Sequence, residues 1–240
     1  SFPIEYLFRK EVMFMFEYLR LLTILFRYRD EEQFLEYLNR ASFDIRKKET
    51  IRIVYGLMEK QFADIRRDSG GPYMDHLRAV TTILMIHLGV TDANEILAAL
   101  LHDVTELFPK EWPNSRILEE YGREVAYLVD IMTKPSGRDD ETDEAREARI
   151  DTYHERFKTA KKAAVRLKMA DWMHNILTLI YCTPEKQRRK WLEACQHALP
   201  RALEHGVLYG ELWTALYSPV LFTFPSIPGP VLRIPTSPSR

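Results

Sequence analysis

Three short stretches of this chain carry side chains able to do metal or acid–base chemistry. In LAALLHDVTELF, His102 and Asp103 sit inside an apolar helical run, with Leu100, Leu101, Val104 and Leu107 around them. Adjacent helical residues diverge by about 100°, yet an imidazole and a carboxylate can still converge on one ion at the groove between their faces. Glu106 follows His102 by one helical turn, on the same face. Taken alone, such a pair is more often a hydrogen-bonded pair or a cap than a metal site. In VRLKMADWMHNILTLI, Asp171, His174, Asn175 and Thr178 fall at i, i+3, i+4 and i+7 and form one polar stripe on an otherwise apolar helix. A carboxylate in a core must find partners. The stripe is therefore either a hydrogen-bond network between helices or a ligand oxygen flanked by nucleotide-contacting groups. His76 follows the turn Gly70-Gly71-Pro72-Tyr73. Together His76, His102, Asp103 and Asp171 make a two-imidazole, two-carboxylate set. Such mixed donors suit Mn²⁺, Fe²⁺ or Zn²⁺ rather than a structural thiolate site. An ion of that kind generates hydroxide near neutral pH and polarises a phosphoryl oxygen.

The elements that must hold these groups are helices throughout. Apolar residues recur at helical spacing from end to end, and no strand-like alternation survives more than a few residues. The fold class is all-α, with about nine or ten helices. Residues 4–40 read as two helices broken near Arg29 and Asp30, and 44–66 as a third with Ile51, Ile53, Val54, Leu57 and Phe62 on its apolar stripe. A helix over about 74–88 follows the Gly-Gly-Pro turn. Asp92 and Glu95 have capping-box spacing and open a helix that runs to about Leu107. Pro109 and Pro113 then force a break, and 115–133 gives two short helices punctuated by Gly122. The mixed-charge stretch 138–149 reads as a solvated helix face, 159–181 as a mostly apolar helix, and Thr183-Pro184 as the start of a helix over 184–204. His87, His154, His197 and His205 carry no assigned role. Six of the thirteen prolines fall in the last 22 residues, which therefore form an extended tail.

The formal charge of −1 advertises no nucleic-acid partner. The greasy run 12–26 is interrupted by Glu17 and Arg20 and closed by Arg27, so it reads as a packed helix and not a membrane span. Cys182 and Cys195 cannot build a disulfide framework and fit a reducing, cytoplasmic compartment.

The order His…His-Asp…Asp resembles the HD-domain metal-dependent phosphohydrolases. The flanking sequence is closer still to the alarmone, (p)ppGpp, hydrolase branch: the SpoT/RelA hydrolase domains and small Mesh1-like enzymes. Matching pieces are Arg67 with Ser69-Gly70 and Pro72-Tyr73 before His76, Gly89-Val90-Thr91-Asp92 leading into AALLHDVTE, Tyr121-Gly122 with the downstream Thr133-Lys134, and LKMADWMHNILTL. The resemblance runs from about Arg67 to Leu179. It implies an HD-type domain over 44–218, between an N-terminal helical extension (1–43) and the proline-rich tail (219–240). It also implies Mn²⁺ on His76, His102, Asp103 and Asp171, with Glu106 as the catalytic carboxylate. Arg67 and Ser69 would line the base pocket, and Asn175 and Thr178 would contact the nucleotide. The reaction implied is removal of pyrophosphate from the ribose 3′ position by metal-activated water.

Four positions depart from the family pattern. Its second catalytic carboxylate is Leu107 here, and three positions that are usually basic are Asp68, Trp172 and Leu177. Fewer charge-assisted contacts weaken the hold on a polyanion. Lys134, Arg138, Lys161 and Lys162 are the candidates to compensate. Two alternatives stay open: an HD-type 5′-nucleotidase-like phosphomonoesterase, and a catalytically silent HD domain that binds a nucleotide or a protein. The N-terminal helices are expected to pack against the HD-type domain, a second copy of it or another protein.

Overall fold

The computed structural model describes residues 4–137 and 140–217, with side chains from Lys10 onward; the proline-rich tail, the expected 219–240 segment, lies outside the described residues. Among the described residues there are twelve α-helices and no strand, so the chain is all-α as expected, with more helices than the nine or ten anticipated. They are α1 (Ile4–Arg27), α2 (Glu31–Arg40), α3 (Ile45–Gln61), α4 (Tyr73–Thr82), α5 (Ala93–Leu101), α6 (Val104–Leu107), α7 (Asn114–Met132), α8 (Asp143–Glu155), α9 (Lys162–Leu177), α10 (Pro184–Glu193), α11 (Leu199–His205) and α12 (Tyr209–Tyr217).

The core forms around α5. Every residue of this helix except Asn94 is buried, a pattern that fits only a helix enclosed on all sides. It packs against α3, α4 and α7, while α4 and α7 also reach α9. α3 is shorter than the sequence implies. It stops at Gln61, and its buried face is Ile51, Val54, Tyr55 and Met58, while Ile53 and Leu57 are exposed. The chain ahead forms a tight loop instead, in which the Arg67 N–H donates to the Gly71 carbonyl (2.9 Å) and Gly70 adopts φ +89°. That left-handed geometry favours glycine and aims the chain at α4.

The helix expected to run from Asp92 to Leu107 is two helices. Asp92 caps the first by accepting the Asn94 N–H at 2.9 Å, but Glu95 does not complete a capping box; it is buried and paired with Arg166 of α9. The break falls at His102 and Asp103. The segment expected over 184–204 is likewise α10 and α11, joined by a π-helical turn over 194–198. α12 has no counterpart in the expected elements. It packs along α1, where Phe14 meets Tyr209 edge-on at 5.6 Å and lies so close to Gly210 that a Cβ there would stand 2.5 Å from the ring. No helix of the described residues is long and apolar enough to cross a membrane.

Candidate metal centre and nucleotide site

The four-residue set comes together from three places. α4 carries His76, the break after α5 carries His102 and Asp103, and the middle of α9 carries Asp171. His102 Nε2 lies 3.3 Å from His76 Nε2 and 3.2 Å from Asp103 Oδ2. His76 Nε2 is 3.5 Å from the same Asp103 oxygen and 3.3 Å from Asp171 Oδ1, which is 3.9 Å from His102 Nε2. Donors that share one ion at about 2.0–2.2 Å stand roughly 3–3.5 Å apart, so most of these separations match a common ion.

The surrounding residues orient the donors. His102 donates from Nδ1 to the Ala99 carbonyl at 2.8 Å, a bond that the break after Leu101 permits, and this leaves Nε2 as the lone-pair nitrogen. His76 Nδ1 meets His174 Nδ1 at 2.8 Å. Burial, then the His76 and Arg67 charges, hold His174 well below the usual histidine range, so His174 is neutral and accepts the His76 proton. Tyr73 donates to Asp103 Oδ2 at 2.7 Å. Lys168 donates to Asp171 Oδ2 at 3.0 Å and Asn175 to Oδ1 at 2.6 Å. Burial opposes charge on both carboxyls, but His102 beside Asp103 and Lys168 beside Asp171 outweigh it and hold both well below the usual carboxylate range. Burial also opposes a proton on His102, yet Asp103 and then Asp171 raise it to about 9. A divalent ion competes with that proton, so binding there releases it and weakens as pH falls.

The two imidazoles and the Asp103 carboxylate lie close enough together to hold a divalent ion, with Asp171 Oδ1 beside them 3.3 Å from His76 Nε2. A second histidine–carboxylate group, Glu17, His87 and Glu211, does not fit as well. His87 Nε2 is hydrogen-bonded to Glu211 at 2.6 Å and Glu17 is paired with Arg20, so the carboxylates are already engaged.

His76, Asp103 and Asp171 open into a cavity of about 350 Å³ that also receives Arg67, Ser69, Glu106, Asn175 and Thr178, so every site residue expected from sequence lines one space except His102, which is buried behind it. Arg67 is drawn inward, donating to Asn175 Oδ1 at 2.5 Å. Thr178 donates to the His174 carbonyl at 3.0 Å and closes α9. Glu106 Oε2 accepts the Lys134 N–H at 3.2 Å. Leu107, in place of a carboxylate, is exposed at the rim.

Of the four compensating cations expected, Lys134 lines the cavity, Arg138 lies outside the described residues, and Lys161 instead pairs with Glu124. Lys162 begins α9 away from the lining. The cations sequence reading missed are Arg66, Lys168, Lys186 and Lys190. Asp68 is paired with Lys186 across the mouth. Trp172 is buried packing, as its apolar neighbours suggest, with the Lys168 and Lys190 ammonium groups 5.8 and 5.5 Å from its ring. His154, which carries no role in the sequence reading, is buried against Glu193 and stacked on His197 at 4.3 Å.

Residues 55–196, more than half of the chain, match the HD domain family. The chain belongs to the HD domain family. That membership implies a divalent metal, and the His76–His102–Asp103 group is where the HD domain offers one. Over 144 residues the chain is 34% identical to the guanosine-3′,5′-bis(diphosphate) 3′-pyrophosphohydrolase of Haemophilus influenzae, a match covering 59% of this chain and 20% of that protein. It is 31% identical over 143 residues to the bifunctional (p)ppGpp synthase/hydrolase SpoT of Escherichia coli K12, with the same two coverages. The matched region thus spans about a fifth of these relatives' length. The HD fold is also that of a solved metazoan ortholog of SpoT described as hydrolysing ppGpp (TM-score 0.61, 22% identity), covering 76% of this chain and all of that one.

Proposed function

We propose that this HD domain, over residues 44–218, hydrolyses a 3′-diphosphorylated nucleotide of the (p)ppGpp type with Mn²⁺, releasing pyrophosphate. The observation that carries the reading is the convergence of His76 Nε2, His102 Nε2, Asp103 Oδ2 and Asp171 Oδ1 with both imidazole tautomers fixed from behind. The bound ion would supply Lewis acidity and an acidified water. The chain's own groups do the rest. Glu106 is tethered through one oxygen to the Lys134 amide, which leaves Oε1 to take and return a proton at the cavity wall. Arg66, Lys134, Lys186 and Lys190 surround the phosphate side and favour a polyphosphate over a monophosphate. That preference speaks against the 5′-nucleotidase-like alternative. Arg67, Ser69, Asn175 and Thr178 are assigned to base and ribose. The names of the relatives support the substrate class, and two free thiols support a reducing, cytoplasmic setting.

The test is turnover of guanosine 3′,5′-bis(diphosphate), guanosine 3′-monophosphate and a 5′-monophosphate by the Mn²⁺-loaded chain, with products separated by ion exchange. Release of pyrophosphate from the first alone is expected. Hydrolysis confined to monophosphates would overturn the assignment.

A further inference from the structure

A smaller pocket of about 160 Å³ adjoins the metal-type site. Lys134 and Lys190 face both spaces, while Arg146, Arg189 and Glu193 line the far side and also face a larger cavity between α8, α9, α10 and α11. Nine residues line the small pocket; five are basic (Lys134, Arg146, Arg149, Arg189, Lys190), and the one acid is Glu193. Two of these cations are committed: Arg149 forks onto Glu141 at 2.8 and 2.7 Å, and Lys190 pairs with Glu193 at 2.7 Å. Among the described residues no carboxylate pairs with Lys134, Arg146 or Arg189. The pocket is therefore short of negative charge, and burial together with Lys134 pushes Lys190 down to about 8.

We propose that this pocket is a subsite for a diphosphate group. The three unpaired cations come from three elements: the segment after α7, α8 and α10. They can surround an anion whose oxygens point in several directions, whereas a flat carboxylate would engage fewer of them. Guanidinium forks match phosphate oxygens in pairs. The volume equals about five water molecules at roughly 30 Å³ each, room for a diphosphate. The diphosphate has two sources: the substrate's second phosphate chain, remote from the scissile bond, or free pyrophosphate. The first source rests on the proposed reaction; the charge deficit does not.

The experiment uses the full chain and an Arg146→Ala/Arg189→Ala variant. Arg189 is exposed and Arg146 half-buried, so the variant is expected to melt like the parent. Calorimetric titration of the metal-stripped proteins with inorganic pyrophosphate should show binding that weakens at least about 10-fold in the variant. Lys161→Ala, which removes a surface cation paired with Glu124, should leave it unchanged. Equal affinity in parent and double variant overturns the proposal. KM is then measured for guanosine carrying diphosphates at both 3′ and 5′ positions and for guanosine 3′-diphosphate with a free 5′-hydroxyl. A KM ratio shifted about 10-fold by the variant assigns the pocket to the substrate's second chain. An unchanged ratio with weakened pyrophosphate inhibition assigns it to free pyrophosphate. If the parent turns over neither nucleotide, the proposed reaction fails, and the calorimetry still decides the pocket.

Discussion

Acid should destabilise this protein through His154, a residue away from the metal-type site. His154 on α8 is 7% exposed, bonded through Nε2 to Glu193 Oε1 at 3.1 Å, and stacked on His197. Burial first, then the Lys168 and His197 charges, lower it from 6.5 to about 4, against the pull of Glu193. The folded pKa thus lies below the unfolded one, and the unfolded chain takes up this proton first as pH falls. The stability contributed is whole above pH 6.5 and is lost as pH drops to about 4. At about 1.4 kcal/mol per pH unit, the window amounts to about 3 kcal/mol. Glu193 is also held low, but a carboxyl whose ordinary value is 4.5 adds its loss only below that value. His154→Gln keeps a donor toward Glu193 and removes the titration. Urea unfolding of both proteins in chelator, at pH about 7, 6 and 5, should show the parent losing stability faster, with the slopes differing by up to about 1.4 kcal/mol per unit. Parallel lines would refute the reasoning, because every other titrating group is common to both proteins.

Asp103→Ala is expected to lose bound Mn²⁺ and all hydrolysis; stoichiometric metal in the purified variant by elemental analysis would remove Asp103 from the ligand set. Glu106→Gln should keep the metal while turnover falls by about 10²-fold, as for loss of a proton-transfer group; unchanged kcat would exclude Glu106 from proton transfer. Lys168→Met strands the Asp171 carboxylate in the core and should cost about 3–5 kcal/mol, a drop of at least about 6 °C in the melting temperature of the chelated protein; a shift of a degree or two would show that other donors suffice. Removing residues 1–40 uncovers Gly210 and the rings of Tyr209 and Trp213, so the truncation should aggregate on size exclusion; a monodisperse product with the parent's melting temperature contradicts that role for α1.

The donor set was legible because residue type and order carry it: two imidazoles and two carboxylates on apolar helices have few uses. The helix class was legible for the same reason, periodicity being local. The break at His102 was not, since no glycine or proline marks a stop between Leu101 and Val104; in the structure His102 bonds back to the Ala99 carbonyl at the break. Lys168 was overlooked because a lysine on a helix normally reaches water; only the packing of α9 shows it buried on Asp171. Lys186 and Lys190 were invisible for another reason. They reach the site from α10, beyond the resembling segment, and long-range placement leaves no trace in spacing. His154 shows the reverse error: its helix looks charged, but the face it presents to α9 is closed by Trp172 and Glu193.

Trp172 forms a wall common to the metal-type site and the larger neighbouring cavity of about 960 Å³, with two ammonium groups near its ring and no partner for its indole N–H among the described residues. An excited indole responds to nearby charge, and of the two cations here Lys168 is held on Asp171 while Lys190 lines the open site. Any anion that draws Lys190 away from the ring alters the field across it. With Trp112, Trp191 and Trp213 replaced by phenylalanine, the chain carries its own optical gauge of occupancy, read in emission wavelength without a label.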